Sequence, residues 1–244
     1  MKTKETQIAG KTLRLETGRV ARQSNGSVLV TYGETVVLAT VNASKEARSD
    51  INFFPLQIEY REKHYAGGKI PGGFFKREAR PGEHEVLTSR VTDRPLRPLF
   101  PKGYKNEVQV MITVLQSDGE NLSDTWAGVG ASAALLISNI PWNGPIATVR
   151  VGLIGSDFIF NPTREQLDEC LFEMVVSGNK ENIVMVEGEA KEVKEDVIIE
   201  GLKYAHKYIL EIISVQEDLA SMLDISKMDI HEVAQNAELD AFVK

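Results

Sequence analysis

The sequence predicts a mixed α/β (α+β) fold, with strands and helices in mixed order around one core and a helical segment after it. Three observations predict it. β-Branched runs at 27–32 and 35–41 flank the pair Gly33-Glu34, the pattern of a hairpin. Residues 124–138 are almost wholly small and apolar. Ile198, Leu202, Ala205, Ile209 and Ile212 recur at spacings of four and three, the stripe of an amphipathic helix.

Taken in order, residues 11–62 read as β-rich, with a strand over 53–62. Residues 66–73, AGGKIPGG, form a glycine-rich loop. No Gly-Lys-Ser/Thr follows, so this is not a nucleotide-binding P-loop. Its glycines instead free the backbone to present Phe74 and Phe75 at a tip. Residues 83–94 suit a helix, which Pro95 and Pro98 should end. Val108, Val110, Ile112 and Val114 alternate along one strand face. The small-residue run is expected to be a helix despite Gly128 and Gly130, each of which costs a helix roughly 1 kcal/mol. Their use implies a buried helix lying close to a sheet, with Ser123 or Asp124 as its N-cap. Strands follow at 146–154 and 157–160, a short helix at 163–170, and strands at 171–176 and 182–187. Helix is expected from 194, and 228–244 is acidic and weakly helical.

Composition narrows the class. The 244 residues are 42% hydrophobic and 26% charged, ordinary for a soluble globular protein of one large domain or one domain plus an extension. The opening MKTKETQIAGKTLRLE has no apolar stretch of a secretory leader, and no run approaches the 18 or so apolar residues of a membrane span. The single Cys170 allows no internal disulfide and fits a reducing compartment. A cytoplasmic location and no membrane partner are therefore expected. Net charge is −7, which excludes a generally basic coat for nucleic acid. The distribution is uneven, however. Residues 60–105 hold eleven Lys or Arg against five Asp or Glu, and the remainder hold 17 against 30. A basic segment on an acidic body suggests a focused electrostatic site.

That segment contains GFFKREARPGEHEVLTSRVTDRPLRPLFP at 73–101. It sets Phe74 and Phe75 beside Lys76, Arg77 and Arg80, then spaces Arg90, Arg94 and Arg97 to share one helix face. An exposed aromatic pair beside cations suits single-stranded nucleic acid, because bases stack on rings while cations track phosphates. The alternative is a core Phe pair, with arginines solvated or paired to Glu78, Glu83, Glu85 and Asp93. Other motifs carry less. His84-Glu85 begins like a zinc-protease signature, but Thr88 stands where the second His is needed. The four histidines are scattered, Cys170 reads as a core thiol and Trp126 as packing.

The same segment resembles the first core domain of the bacterial polynucleotide phosphorylase family, which carries a pattern close to FFRREGRP…DRPIRPLFP. The resemblance extends to LETGRVARQ (15–23), FFPLQIEYREKHYAGGKIPGGFF (53–75), NEVQVMITVLQ (106–116), GASAALLISNIPWNGPI (130–146) and NIVMVEGEA (182–190). It implies a first ribonuclease PH-like core domain at 1–190, of mixed sheets packed with helices. The opening of an all-helical domain would then occupy 191–244. It also implies the family reaction, in which inorganic phosphate attacks the 3′-terminal phosphodiester of RNA and releases a nucleoside diphosphate. Expected partners are single-stranded RNA, inorganic phosphate, nucleoside diphosphates, two further copies in a homotrimeric ring, and proteins of RNA-degradation complexes. A free-standing, non-catalytic ring subunit of an exosome-like assembly is the alternative.

The resemblance locates the chemistry in a second core copy, with a serine cluster for phosphate and aspartates and a lysine around Mg²⁺. In this copy the serine cluster corresponds to Leu122, Ser123 and Asp124, and the Asp-aromatic-Lys element to Glu173-Met174-Val175. The upstream aspartate falls near Leu167, with Asp168 adjacent. No catalytic and no metal-binding residue is expected here, and the chain alone should be inactive. RNA handling is assigned by the resemblance to Phe74, Phe75, Lys76, Arg77, Arg80, Arg94 and Arg97. Lys76 replaces an arginine and loses its bidentate phosphate geometry. For Arg94 and Arg97 a bracing role, paired to Asp93 or Glu85, is the alternative.

Overall fold

The computed structural model describes residues 1–48, 51–74, 76–78 and 80–229. In chain order these form β1 (Lys2–Ile8), β2 (Lys11–Thr17), β3 (Gly26–Tyr32), β4 (Thr35–Ala47), β5 (Leu56–Glu62), α1 (Glu83–Leu96), β6 (Asn106–Gln116) and α2 (Asp124–Leu136). There follow β7 (Ala147–Ile154), β8 (Asp157–Phe160), α3 (Arg164–Glu169), β9 (Phe172–Gly178), β10 (Ile183–Ala190) and α4 (Glu195–Ala220). The strands build two sheets, ordered β1-β2-β3-β4-β6-β5 and β10-β9-β7-β8.

The hairpin of β3 and β4 closes where the sequence places it. Tyr32 pairs with Thr35, and Gly33 takes φ of 58° in the two-residue turn between them, the left-handed backbone such turns require. Along β6, Val108, Val110, Ile112 and Val114 are all buried, as their alternation requires. β5 runs parallel to β6 although every other pairing is antiparallel. A parallel pair needs a long crossover. Here the crossover consists of the glycine-rich loop and α1, so topology itself delivers the basic segment to one edge of the larger sheet.

Helix α2 is buried on all sides between the two sheets, as expected of a helix with no polar face. Its two glycines serve one sheet each. A Cβ on Gly128 would lie 2.4 Å from the Thr148 hydroxyl on β7, and one on Gly130 would lie 3.0 Å from Ala39 Cβ on β4. Trp126 stacks on Tyr32 with ring centroids 4.3 Å apart, a packing role as read from the sequence. Ser123 is the N-cap but makes no side-chain capping bond, and its hydroxyl pairs with Tyr60 at 2.7 Å instead.

Several expectations need correction. Strand β1 escapes a hydrophobic reading because KTKETQI is an edge strand with one buried residue, Ile8. α1 passes through Pro95 and stops at Leu96, two residues late. β5 starts at Leu56 rather than residue 53, after Pro55. α4 is helical as expected, but it does not leave the core. Ala205, Ile209, Ile212 and Ile213 are fully buried against β7, β1 and α2, each isoleucine contributing about 1.5–3 kcal/mol. Gln216 fixes the contact: Ser132 donates to its Oε1 at 2.7 Å, and its Nε2 donates to the Ile146 carbonyl at 2.8 Å. The buried hydrophobic cluster includes residues of α4 as far as Leu219. The expected weak helix at 228–244 lies almost wholly outside the described residues.

Candidate nucleic-acid interface

The crossover leaves β5 at Glu62, makes a single 3-10 turn over His64–Gly67, and reverses at Gly68, whose left-handed backbone (φ 67°) lets its N–H reach the Tyr65 carbonyl. Ala66 is buried, and its carbonyl accepts from the Ser117 N–H at 2.9 Å, which fastens the base of the loop to the end of β6. The far end is fastened by Glu78. Its carboxylate accepts from Lys63 Nζ at 2.8 Å and from the His64 backbone N–H at 2.6 Å, and lies 3.1 Å from His64 Nδ1. The Lys63 ammonium and the His64 N–H hold this carboxyl down to about 2 from its usual 4.5. Glu78 thus closes residues 64–78 into a loop with both ends pinned.

At the tip, Gly73 takes φ of 80° and Phe74 stands 95% exposed. Lys76, Arg77 and Arg80 are exposed and make no ion pair with the described residues. Phe75 lies outside the described residues. The core-aromatic alternative is thereby excluded for Phe74, and the pairing expected of Glu78 is made with Lys63 rather than with the tip arginines.

The arginines of α1 are placed differently. Arg97 donates to Asp93 from Nε at 2.7 Å and Nη2 at 2.5 Å, reaches the Phe54 and Leu56 carbonyls at 3.2 and 3.1 Å, and sits 5.9 Å from the Phe54 ring centroid. Arg94 is paired with Glu187 of β10. Both are ion-paired and both remain well exposed: Asp93 is the partner the bracing alternative named for Arg97, whereas Glu187 is not one it named for Arg94. Glu85 is occupied elsewhere, accepting from the N–H groups of Gly82 and Glu62 at the start of α1.

Between α1, α2, β7, β9 and β10 lies a cavity of about 350 Å³, lined by His84, Thr88, Asp124, Arg150, Glu173 and Val175 among others. It gathers two of the positions where the resemblance puts missing catalytic groups. Arg150, only 13% exposed, donates to Asp124 at 2.5 Å and to Glu173 at 3.1 Å. Burial alone would lower its pKa, but the two carboxylates more than offset that and raise it. Val175 adds an apolar wall. Asp168, on α3, is exposed and does not line this cavity. Among the described residues no cluster of His, Cys, Asp and Glu side chains is arranged to hold a metal ion. Cys170 is buried, as a core thiol should be.

Sequence reasoning missed Arg150 and the Glu78 clasp. The signal for Arg150 was present: one arginine inside the apolar strand ATVRVGLI must find buried carboxylates. The clasp had no local signal beyond an acid in a basic run.

Comparison with known proteins shows the family and the fold. Residues 9–141 match domain 1, and residues 144–208 domain 2, of the 3′ exoribonuclease family. The chain is 53% identical to a polyribonucleotide nucleotidyltransferase of Thermus thermophilus, over 92% of its own length and 31% of that protein's. Against the same-named proteins of Thermomicrobium roseum and Geotalea uraniireducens, identity is 52% and 46%, covering 96% and 100% of this chain and 30% and 35% of theirs. The chain therefore spans about a third of the length of these relatives. The crystal structure of rice Rrp46 shares the fold, with a TM-score of 0.68 at 14% identity, over 85% of this chain and 93% of that one.

Proposed function

The chain belongs to the 3′ exoribonuclease family, and from that premise we propose that it is the RNA-guiding first core copy of a polyribonucleotide nucleotidyltransferase. In the whole enzyme an oxygen of inorganic phosphate attacks the 3′-terminal phosphodiester, the 3′ oxygen of the preceding nucleotide leaves with a proton, and a nucleoside diphosphate is released. This copy presents single-stranded RNA to that reaction without performing it. The observation that carries the reading is the contrast between the cations at 76–80, which make no ion pair with the described residues and flank an exposed ring, and Arg150, whose charge two carboxylates already meet.

In the loop, bases stack on Phe74 and Phe75 while Lys76, Arg77 and Arg80 meet phosphates. Lys76 acts as a point charge and the two arginines as forks. Arg94 and Arg97 hold α1 against β10 and β5, and so set the platform from which the loop projects. The cavity does not fit phosphoryl transfer. Inorganic phosphate would meet Asp124 and Glu173, and Arg150, the guanidinium among the lining residues, is already held by both. The same two carboxylates do not fit Mg²⁺ either, because a guanidinium occupies the position between them. We assign Mg²⁺ to a second core copy, and the active assembly to a cytoplasmic homotrimeric ring that joins RNA-degradation complexes.

The test is incubation of the 244-residue chain with poly(A), phosphate and Mg²⁺, following ADP release. No release above a preparation lacking the chain is expected. Release that scales with the chain's concentration would overturn the assignment of catalysis to another copy.

A further inference from the structure

The loop carries a second apolar surface that no part of this reading uses. Tyr65, Ile70 and Pro71, together with Lys69, Lys76, Arg77 and Glu78, line an open recess of about 500 Å³. Tyr65 is 57% exposed and Ile70 84% exposed. An exposed apolar patch rimmed by polar groups marks a binding surface. Lys69, like Lys76 and Arg77, makes no ion pair with the described residues, so three cations share one recess and none of them is paired there. The one acid lining it, Glu78, already accepts from Lys63 and His64.

We propose that Tyr65 is a second base platform: one nucleotide of single-stranded RNA stacks its base on the Tyr65 ring, with Ile70 and Pro71 along its edge, and sets its phosphate against Lys69, Lys76 and Arg77. The proposal rests on the RNA-guiding reading and extends it. The occupant follows from the chemistry of the lining. A flat ring beside aliphatic groups accepts any base face, and three cations that make no ion pair with the described residues suit the phosphates of a polyanion. The recess is open, so a continuous strand can enter and leave it. Lys76 and Arg77 line this recess and also flank the tip, so one strand reaches Phe74 and Tyr65 along a shared set of cations. Glu78 is then a positioning residue, because its contacts hold residues 63–64 and 78 together and so set one wall of the recess against the other.

The experiment measures affinity of the 244-residue chain for a short oligouridylate across a salt series, for wild type and for Tyr65→Ala, Tyr65→Phe and Phe74→Ala. Tyr65→Ala should weaken binding by roughly 5- to 150-fold with an unchanged salt slope, the loss of one stacked base. Tyr65→Phe, which keeps the ring, should bind as wild type does. An oligomer of abasic sugar-phosphates should bind wild type and Tyr65→Ala alike. If Phe74→Ala weakens binding and Tyr65→Ala does not, the second platform is refuted and the RNA-guiding reading stands. If neither weakens it, the RNA-guiding reading fails and the platform fails with it. Equal loss in Tyr65→Ala and Tyr65→Phe assigns the effect to the hydroxyl and also refutes the platform. If Tyr65→Ala does not fold, photo-adducts of 5-iodouridine mapped on the wild-type chain decide the matter. Adducts at Tyr65 support the platform, and adducts at Phe74 without any at Tyr65 overturn it.

Discussion

Between His64 and Arg80 the cations stand in solvent around an exposed ring; in the cavity between α1, α2 and β7 the cation stands between two carboxylates. Both regions contain arginines, and both lie where the resemblance would look for RNA or phosphate. They differ in whether the charge is already met. Arg77 and Arg80 make no ion pair with the described residues, whereas Arg150 binds Asp124 and Glu173, and Arg97 binds Asp93 and two carbonyls. The lesson is that a basic residue is a phosphate site only if the fold has left it unpartnered. A local count of charges cannot show this.

The largest effect should come from breaking the paired region. Arg150→Ala leaves the half-buried Asp124 and Glu173 without their counter-ion, and should destabilise the fold by up to about 3–5 kcal/mol in a denaturant titration. Replacing all three by apolar residues of similar volume should recover most of that loss, since the pair's own net contribution is small. Loss of less than about 0.5 kcal/mol in Arg150→Ala would show that the carboxylates are solvated and do not depend on Arg150.

Of intermediate size is the effect of Arg97→Ala. It removes a bidentate pair and two carbonyl contacts, and should cost about 1–3 kcal/mol of stability while leaving the salt slope of RNA binding unchanged. Arg77→Ala should do the reverse. Stability should stay within about 0.5 kcal/mol, and the salt slope should flatten by roughly 0.7. If the two substitutions behave alike, the distinction between paired and free arginines has no functional content.

The smallest expected effect concerns the clasp. Because the Glu78 carboxyl is held at about 2, below its ordinary 4.5, its contribution is fully present above about pH 4.5 and is lost as pH falls toward 2. A carbon-detected NMR titration of the Glu78 side chain should show its midpoint near that lower value, and Glu78→Gln should loosen the loop without unfolding the core. A midpoint near 4.5 would mean that Lys63 and His64 do not hold it.

How far the sequence reveals each region follows from the range of its interactions. The loop is legible because its ring, its cations and its glycines are neighbours along the chain. So is α2, whose glycines signal close approach to a sheet, and Gly128 and Gly130 meet Thr148 and Ala39 as that reading requires. The cavity is illegible because Asp124, Arg150 and Glu173 come from three elements, brought together by pairings of β7 with β9 and of α2 with β7. The N-terminal edge strand is illegible for another reason: only Ile8 of β1 is buried, so no alternation appears. The helical period of α4 is plain, but period alone does not say what a helix packs on. The buried Gln216, bonded to Ser132 on α2 and to the Ile146 carbonyl, fixes where it packs.

The central claim is that RNA reads the unpaired cations of the loop and not the paired ones of α1. The most direct test is a salt titration of oligoribonucleotide affinity for two double variants, Arg77→Gln/Arg80→Gln and Arg94→Gln/Arg97→Gln. The first should weaken binding and flatten the slope by roughly 1.4, two phosphate contacts of a single strand, while the second should keep the wild-type slope. A flattened slope in the second variant, or a wild-type slope in the first, would contradict the account.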